Sequence, residues 1–580
     1  MAEAFGIASA VFGLVPVCYQ AFELVEAACT ANEGAEKQVQ RIRMQRGLFT
    51  GWAECWDLKK SQDKLQSHFR NSDNGPLVVK VILNMSQLFA SSDNLSAKYG
   101  LKVKLKDRSE FALATIKVQD VLGGKAAYEV GPQVKKLGAH MSWLRRAKFA
   151  IREKKKFDEL ISDLDEHNST LRGICSEIVA WRIHLAMTCE VLQQNHPGNL
   201  NHLAETARDI SSESPKGSVR QKRFDLIATT AEFKKRLQNL DQVRPTTSLS
   251  KEHFRYGEPR WYFNESSATF AIDTRSNTCC YIEWKTYGED ADAGVPTERD
   301  VQELAKIFLI KDPPRSFKTL PCLGAFKDAR NSRYGFVYKP PAYIEKIPNK
   351  QPDTRITVSQ ARKPATLLEV LDQANDGRSW VLELGARFAI AKTLVQSLFV
   401  LHLTGWVHKN VRSGSVLFLP AESRTGGQPS QSLAKDFKHP YLSGFTYSRA
   451  MASTDTDYTA RSRTVQRRSI KLDNYHHPEK RMHPSKLYRP AFDIYSLGCV
   501  LLELGFWQPL QSFDPRDEDS PITFRDRLIR LAEEELPGQA GRIYTRAVRA
   551  CLSVPANLPD EEATSRLCWK VAAALDECVA

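Results

Sequence analysis

Residues 408–419, HKNVRSGSVLFL, gather polar side chains in a short loop between two apolar stretches. A loop so placed can present a base to a hydroxyl and hold a divalent cation against a phosphate. That chemistry needs a carboxylate as the base and hard oxygen ligands for the cation. Asn410 offers an amide, which cannot take a proton from a hydroxyl. Ser415 offers a hydroxyl, a poor ligand for a hard cation. The elements that position the loop are legible on either side. The apolar helix Leu384–Leu403 runs into it through Gly405, Trp406 and Val407, and the strand at 416–419 leaves it.

The spacing resembles the catalytic loop of protein kinases, H-R-D-L-x-x-x-N, with His408 kept, Lys409 in place of Arg, Asn410 in place of the catalytic Asp and Ser415 in place of the metal-binding Asn. Further matches follow in order. Within HPYLSGFTYSR (439–449), Phe445 aligns with the Phe of D-F-G, which puts Gly444 where the family has its second metal ligand and Thr446 at the Gly. Pro478 and Glu479 match the end of A-P-E. Asp493 to Gly498, DIYSLG, matches the pattern D-x-x-S-x-G, whose Asp caps the catalytic-loop backbone. Upstream, Ala268–Asp273 and residues 278–287 read as a hairpin with a turn at 274–277. The phosphate-binding loop falls at NESS, 264–267, which has no glycine. Lys285 stands at the position of the phosphate-binding lysine, and Glu303, on a helix at 298–309, at that of its partner. Residues 335–340 read as the strand leading to the hinge, 366–373 as the next helix, and 449–470, rich in Ser, Thr and Arg, as the activation segment. Architectural positions match while the base, both metal ligands and the glycine loop do not. The resemblance therefore implies a pseudokinase: no catalytic residue, no metal, and no cofactor, with ATP held by Lys285 and Glu303 as the alternative.

Length and composition bound the rest. A chain of 580 residues needs two to four cores. With 42% hydrophobic and 26% charged residues it is globular. Its net charge of +14 and pI of 9.1 suit an anionic partner, and no aromatic platform or base-reading motif accompanies the charge, so a lipid surface is expected rather than nucleic acid. The 12 cysteines form no CxxC pair, which points to reduced thiols rather than a zinc site or disulfide framework. The amino terminus lacks a basic region before its apolar stretch and reads poorly as a signal peptide.

That stretch, residues 4–22, is AFGIASAVFGLVPVCYQAF, free of charge and near the length that spans a bilayer. Gly6, Gly13 and Pro16 interrupt it, so a helix buried in a bundle at rest is expected, with Phe5, Ile7, Val11, Phe12, Leu14, Val15 and Phe22 as its membrane-active residues on release. Residues 145–156, RRAKFAIREKKK, read as part of one basic helix covering 144–171, with Arg145, Arg146, Lys148, Arg152, Lys154, Lys155 and Lys156 as lipid contacts. Together with the helix at 38–56, QVQRIRMQRGLFTGWAECW, these segments are similar to the HeLo domain of fungal HET-s-type incompatibility proteins. The resemblance implies an all-α bundle that exposes its N-terminus, binds membrane and permeabilises it.

The expected fold is thus multidomain: a HeLo-like helical bundle at 1–210, a linker and brace helix at 211–250, and an α+β bilobal protein-kinase-like domain at 251–580. The expected function is a fungal cell-death effector, cytoplasmic at rest and at the plasma membrane once activated. Its expected partners are anionic lipids, further copies of itself and an upstream activating protein. The alternatives are an active protein kinase and a non-toxic signalling scaffold.

Overall fold

A computed structural model of the chain describes residues 2–104 apart from 31, 59–60, 62, 71–73 and 90–91; 148–238; 249–256; 268–286; 314–341 apart from 315; 365–376; 381–419; 439–450 apart from 446–447; 474–513 apart from 485; and 520–579 apart from 561–562 and 565–566. Arg145, Arg146, Glu303, the NESS loop, the helix expected at 298–309 and most of the expected activation segment lie outside the described residues. For Phe5 and Lys148 only the backbone is described. The chain divides into two compact units, Met1–Ala231 and Glu232–Ala580.

The first unit is organised around α1 (Ala2–Thr30), which packs against α2 (Glu36–Cys55), α3 (Asp63–Arg70) and α4 (Gly75–Leu88). The apolar run of α1 leaves one stripe to be buried. Val11, Leu14, Val15, Cys18 and Phe22 share one core with Phe49 of α2 and Phe89, just past α4, and the Phe22 ring meets both of those rings. After α5 (Ser92–Ala97), strand β1 (Leu101–Lys104) pairs antiparallel with β2 (Lys148–Ile151). Then come α6 (Lys154–Gly173), α7 (Glu177–Leu192), α8 (Pro197–Glu213) and α9 (Val219–Gln238), within which the division between the units falls.

Two devices hold α2 in place. Gly47 and Gly51 let α7 approach closely: a Cβ on Gly51 would lie 2.7 Å from the Ile183 carbonyl oxygen and one on Gly47 3.0 Å from the Met187 Cα. On the same helix, Arg43 donates to Glu26 of α1 at 2.6 Å, and Arg46 bridges Glu26 and Glu190 of α7. A buried amide pair adds α6, where Asn168 donates to the Gln45 side chain at 2.8 Å and to its carbonyl at 3.0 Å.

The basic segment is not one helix. Residues Lys148–Ile151 form β2, with Lys148 registered opposite Lys104, and α6 begins only at Lys154. Arg152 and Glu153 donate their amides to the Gly100 carbonyl, which closes the hairpin onto the helix start. A Cβ at Gly100 would sit 2.8 Å from that of Glu153, and φ there is +64°, so only glycine fits.

The second unit opens with a five-stranded antiparallel sheet of β3 (Phe254–Tyr256), β4 (Ala268–Asp273), β5 (Thr278–Thr286), β6 (Cys322–Asp328) and β7 (Arg333–Tyr338), in the order β3-β4-β5-β7-β6. Trp284, Ile282, Phe254, Phe326 and Val337 pack on one of its faces. A helical part follows. Helix α10 (Leu367–Asn375) is capped by Thr366, at the end of β8 (Ala365–Thr366), through a reciprocal bond with Glu369. Helix α11 (Leu384–Leu403) leads to β9 (Trp406–Val407), then come β10 (Val416–Phe418), β11 (Pro440–Leu442) and β12 (Arg449–Ala450). After α12 (Pro478–Met482), α13 (Pro490–Phe506) is buried along its whole length from Pro490 to Gly505, packed on α11 and α15 (Leu536–Leu552). Helices α14 (Pro521–Glu534) and α16 (Ala573–Asp576) complete the unit.

Candidate functional site

The loop after β9 is fixed from below by one side chain. Asp493, in the first turn of α13 and fully buried, accepts from the amides of His408 at 2.7 Å and Lys409 at 2.9 Å and from the Tyr488 hydroxyl at 3.0 Å, and lies 3.2 Å from His402 Nε2. Burial alone would raise the pKa of this carboxyl, but its contact with His402 and the amides it accepts hold it below the usual value. Lys409 takes a left-handed φ of +68°, which a non-glycine residue keeps only where its surroundings over-determine it; here the Asp493 bond does so.

Above Asp493 the three positions whose residue types depart from the catalytic pattern come together. Asn410 donates its side-chain amide to the Gly444 carbonyl at 3.2 Å. Ser415 accepts from the Arg412 amide and donates to its carbonyl, so its hydroxyl closes the turn on itself. Gly444 has φ +80°, and a Cβ there would lie 2.7 Å from Asn410 Nδ2 and 3.3 Å from the Ser415 Cβ. A side chain at that position would be strained by the positive φ and would have to displace the Asn410 amide. Asn410 and Gly444 thus bond each other, while the Ser415 hydroxyl is taken up within its own turn. Among the described residues no group of three or more His, Cys, Asp or Glu could hold a metal ion.

One further group enters this space, and it was not foreseen. Glu283 of β5 is fully buried, and its Oε1 accepts from the Gly444 amide at 2.9 Å. Burial pushes its pKa up to about 7, against the Gly444 and Phe445 amides and the Tyr338 hydroxyl, which favour the charged form. The sheet thus sends an acid to the loop. Lys285, two residues on, is half-buried and registered opposite Tyr334. The signal for Glu283 was an acid inside the apolar strand CCYIEW.

The remaining architectural positions are placed as follows. His408 is buried with its ring 4.4 Å from that of Phe445, which also meets Phe317 at 6.0 Å. Pro478 opens α12, and Glu479 pairs with Lys486 at 2.7 Å. Gly498 lets α13 meet α15: a Cβ there would lie 2.7 Å from that of Cys551. A second buried acid, Glu503, accepts from Tyr475, Ser413 and the Leu510 amide, and burial pushes its pKa up to about 8.

In the first unit, Ile7, Val11, Leu14, Val15 and Phe22 are buried, while Phe12 is 37% exposed. The helix is long and apolar enough to cross a membrane over Ile7–Ala27, and α11 passes the same test with its buried core face. Of the basic residues, Arg152 and Lys155 are exposed, Lys154 donates to the Gly34 carbonyl at 2.5 Å and Lys156 pairs with Glu153 at 3.1 Å. Three lysines in the first turn of α6 oppose the helix dipole, which favours anions at that end.

No curated protein matches the chain. Residues 339–571 match a family model described as a domain of unknown function (DUF7580). Residues 3–204 match the model of the HeLo domain, described as prion-inhibition and propagation and linked to fungal incompatibility and cell death, and the helical first unit agrees with that match.

Proposed function

We propose that this chain is a fungal cell-death effector whose N-terminal bundle perturbs anionic membranes and whose C-terminal half is a catalytically inactive, kinase-like regulator. The observation that carries the reading is α1: a helix of membrane-crossing length and composition, within the HeLo match, whose apolar stripe is sheltered in a soluble bundle at rest. Release of that stripe supplies the apolar surface for insertion. The exposed Arg152 and Lys155, next to the unfavourably placed lysines of α6, supply attraction to an anionic leaflet, on the order of 1 kcal/mol per basic side chain. At rest the protein is cytoplasmic; on activation its copies associate at the plasma membrane.

The kinase-like reading of the second unit is supported by its strand order, in which the fifth strand of the sheet lies between the third and the fourth, and by the capping of the 408–409 amides by Asp493. Inactivity is supported by the bond of Asn410 to Gly444, by the Ser415 hydroxyl being taken up in its own turn, and by an acid, Glu283, directed at the loop. Such a domain neither holds Mg-ATP nor transfers phosphate; it reads a signal from an upstream protein. Dye release from phosphatidylserine vesicles tests the membrane reading. Phe12→Lys, which alters an exposed side chain, leaves the fold intact and abolishes leakage by the activated protein. Unchanged leakage removes α1 from the mechanism.

A further inference from the structure

The first unit contains a cavity of about 270 Å³ walled by α2, α6, α7, α8 and α9. Among its lining are Arg172 of α6, His184 of α7, and Arg220 and Arg223 of α9. Arg172 Nη1 lies 3.0 Å from His184 Nε2. A guanidinium can only donate, so Nε2 is the accepting nitrogen and the ring proton sits on Nδ1. His184 is 5% exposed, and its Nδ1 has no hydrogen-bond partner among the described residues. A buried N–H donor without an acceptor costs about 1–3 kcal/mol, so it needs a compensating group. The charges around it point the same way. Burial and then the positive charges of Arg223, Arg172 and Arg220 press the His184 pKa down to about 3, and burial with the charge of Arg172 brings Arg223 to about 10.

We propose that this cavity binds a small ligand through a phosphate group, with Arg172 and Arg223 clamping the phosphate oxygens and the His184 Nδ1–H donating to one of them. The planar forks of Arg172 and Arg223 match the oxygens of a phosphate. A volume below the usual range of roughly 300–1,000 Å³ selects a phosphate, pyrophosphate or single headgroup over a nucleotide. The same chemistry is offered by a soluble phosphate compound and by a phosphoinositide headgroup.

Calorimetric titration of the full chain with inorganic pyrophosphate, alongside flotation on phosphatidylcholine vesicles with and without phosphatidylinositol 4-phosphate, separates the two sources. The expected result is saturable pyrophosphate binding that Arg172→Gln and Arg223→Gln each weaken about tenfold, the loss of one charge-assisted hydrogen bond. Flotation dependent on the phosphoinositide and lost in both variants, without pyrophosphate binding, assigns the site to a headgroup instead. Arg223→Lys keeps the charge but not the fork; it folds where the glutamine variant does not, and binds more weakly than wild type. Absence of binding in both arms, or binding that none of these variants alters, overturns the proposal whatever the outcome of the dye-release experiment.

Discussion

Gly444 shows how tightly single residues pack around the 408–415 loop. Its φ of +80° strains any other residue, and a Cβ there would have to displace the Asn410 amide. Gly444→Asp, the change that would restore a metal ligand by pattern, is therefore expected to cost about 1–3 kcal/mol in urea unfolding. Asn410→Asp replaces a donor 3.2 Å from a carbonyl by an acceptor, and we expect a loss of about 1–3 kcal/mol in urea unfolding with no gain of ATP-dependent phosphotransfer. The buried acids give a pH signature. The folded pKa of Glu503, about 8, lies above the unfolded value near 4.5, so its contribution is fully present below pH 4.5 and is lost as pH rises through 8. Glu503→Gln mimics the protonated acid, so its melting temperature relative to wild type should climb steadily from pH 5 to pH 8. A constant offset across that range would refute a neutral Glu503. The neutral histidines act in the opposite sense. His408, His476 and His477, pressed down to about 4 mainly by burial, make the unfolded chain bind more protons between pH 4 and 6.5, so stability falls on acidification there in both proteins.

At the scale of elements, the close packing of α2 on α7 rests on small residues. Gly51→Ala would push a methyl group against the Ile183 carbonyl and spread the two helices, at a cost of about 1–3 kcal/mol measured by chemical denaturation. Elements with strong local signals were legible. The helix Leu384–Leu403, the hairpin of β4 and β5 and the capped α10 follow from apolar periodicity, turn residues and a Thr-x-x-Glu box. The basic segment was not, because KFAI has no helix-breaking residue and becomes a strand only by pairing with Leu101–Lys104, far away in the chain. The candidate site divides the same way. Asp493 and the loop it caps were readable from two short patterns, whereas the Glu283 contact with Gly444 joins residues 161 apart, and nothing local to β5 announces which group its acid meets. Likewise, the apolar character of α1 was visible, but its exposed and buried faces were not: Val15 is 2% exposed, so Val15→Lys should unfold the bundle rather than report on membranes.

At the scale of the whole molecule, a bundle that buries one stripe of a membrane-length apolar helix is joined to a second unit in which Asn410 and Gly444 bond each other. The central claim is that the first harms membranes and the second restrains it. The most direct test compares residues 1–245 with the full chain, each first shown to be helical by far-UV circular dichroism, in dye release from phosphatidylserine-containing vesicles. The account predicts that the fragment empties the vesicles, that the full chain leaves them intact, and that Phe12→Lys silences the fragment. Intact vesicles with both proteins, or equal leakage from fragment and full chain, would contradict it.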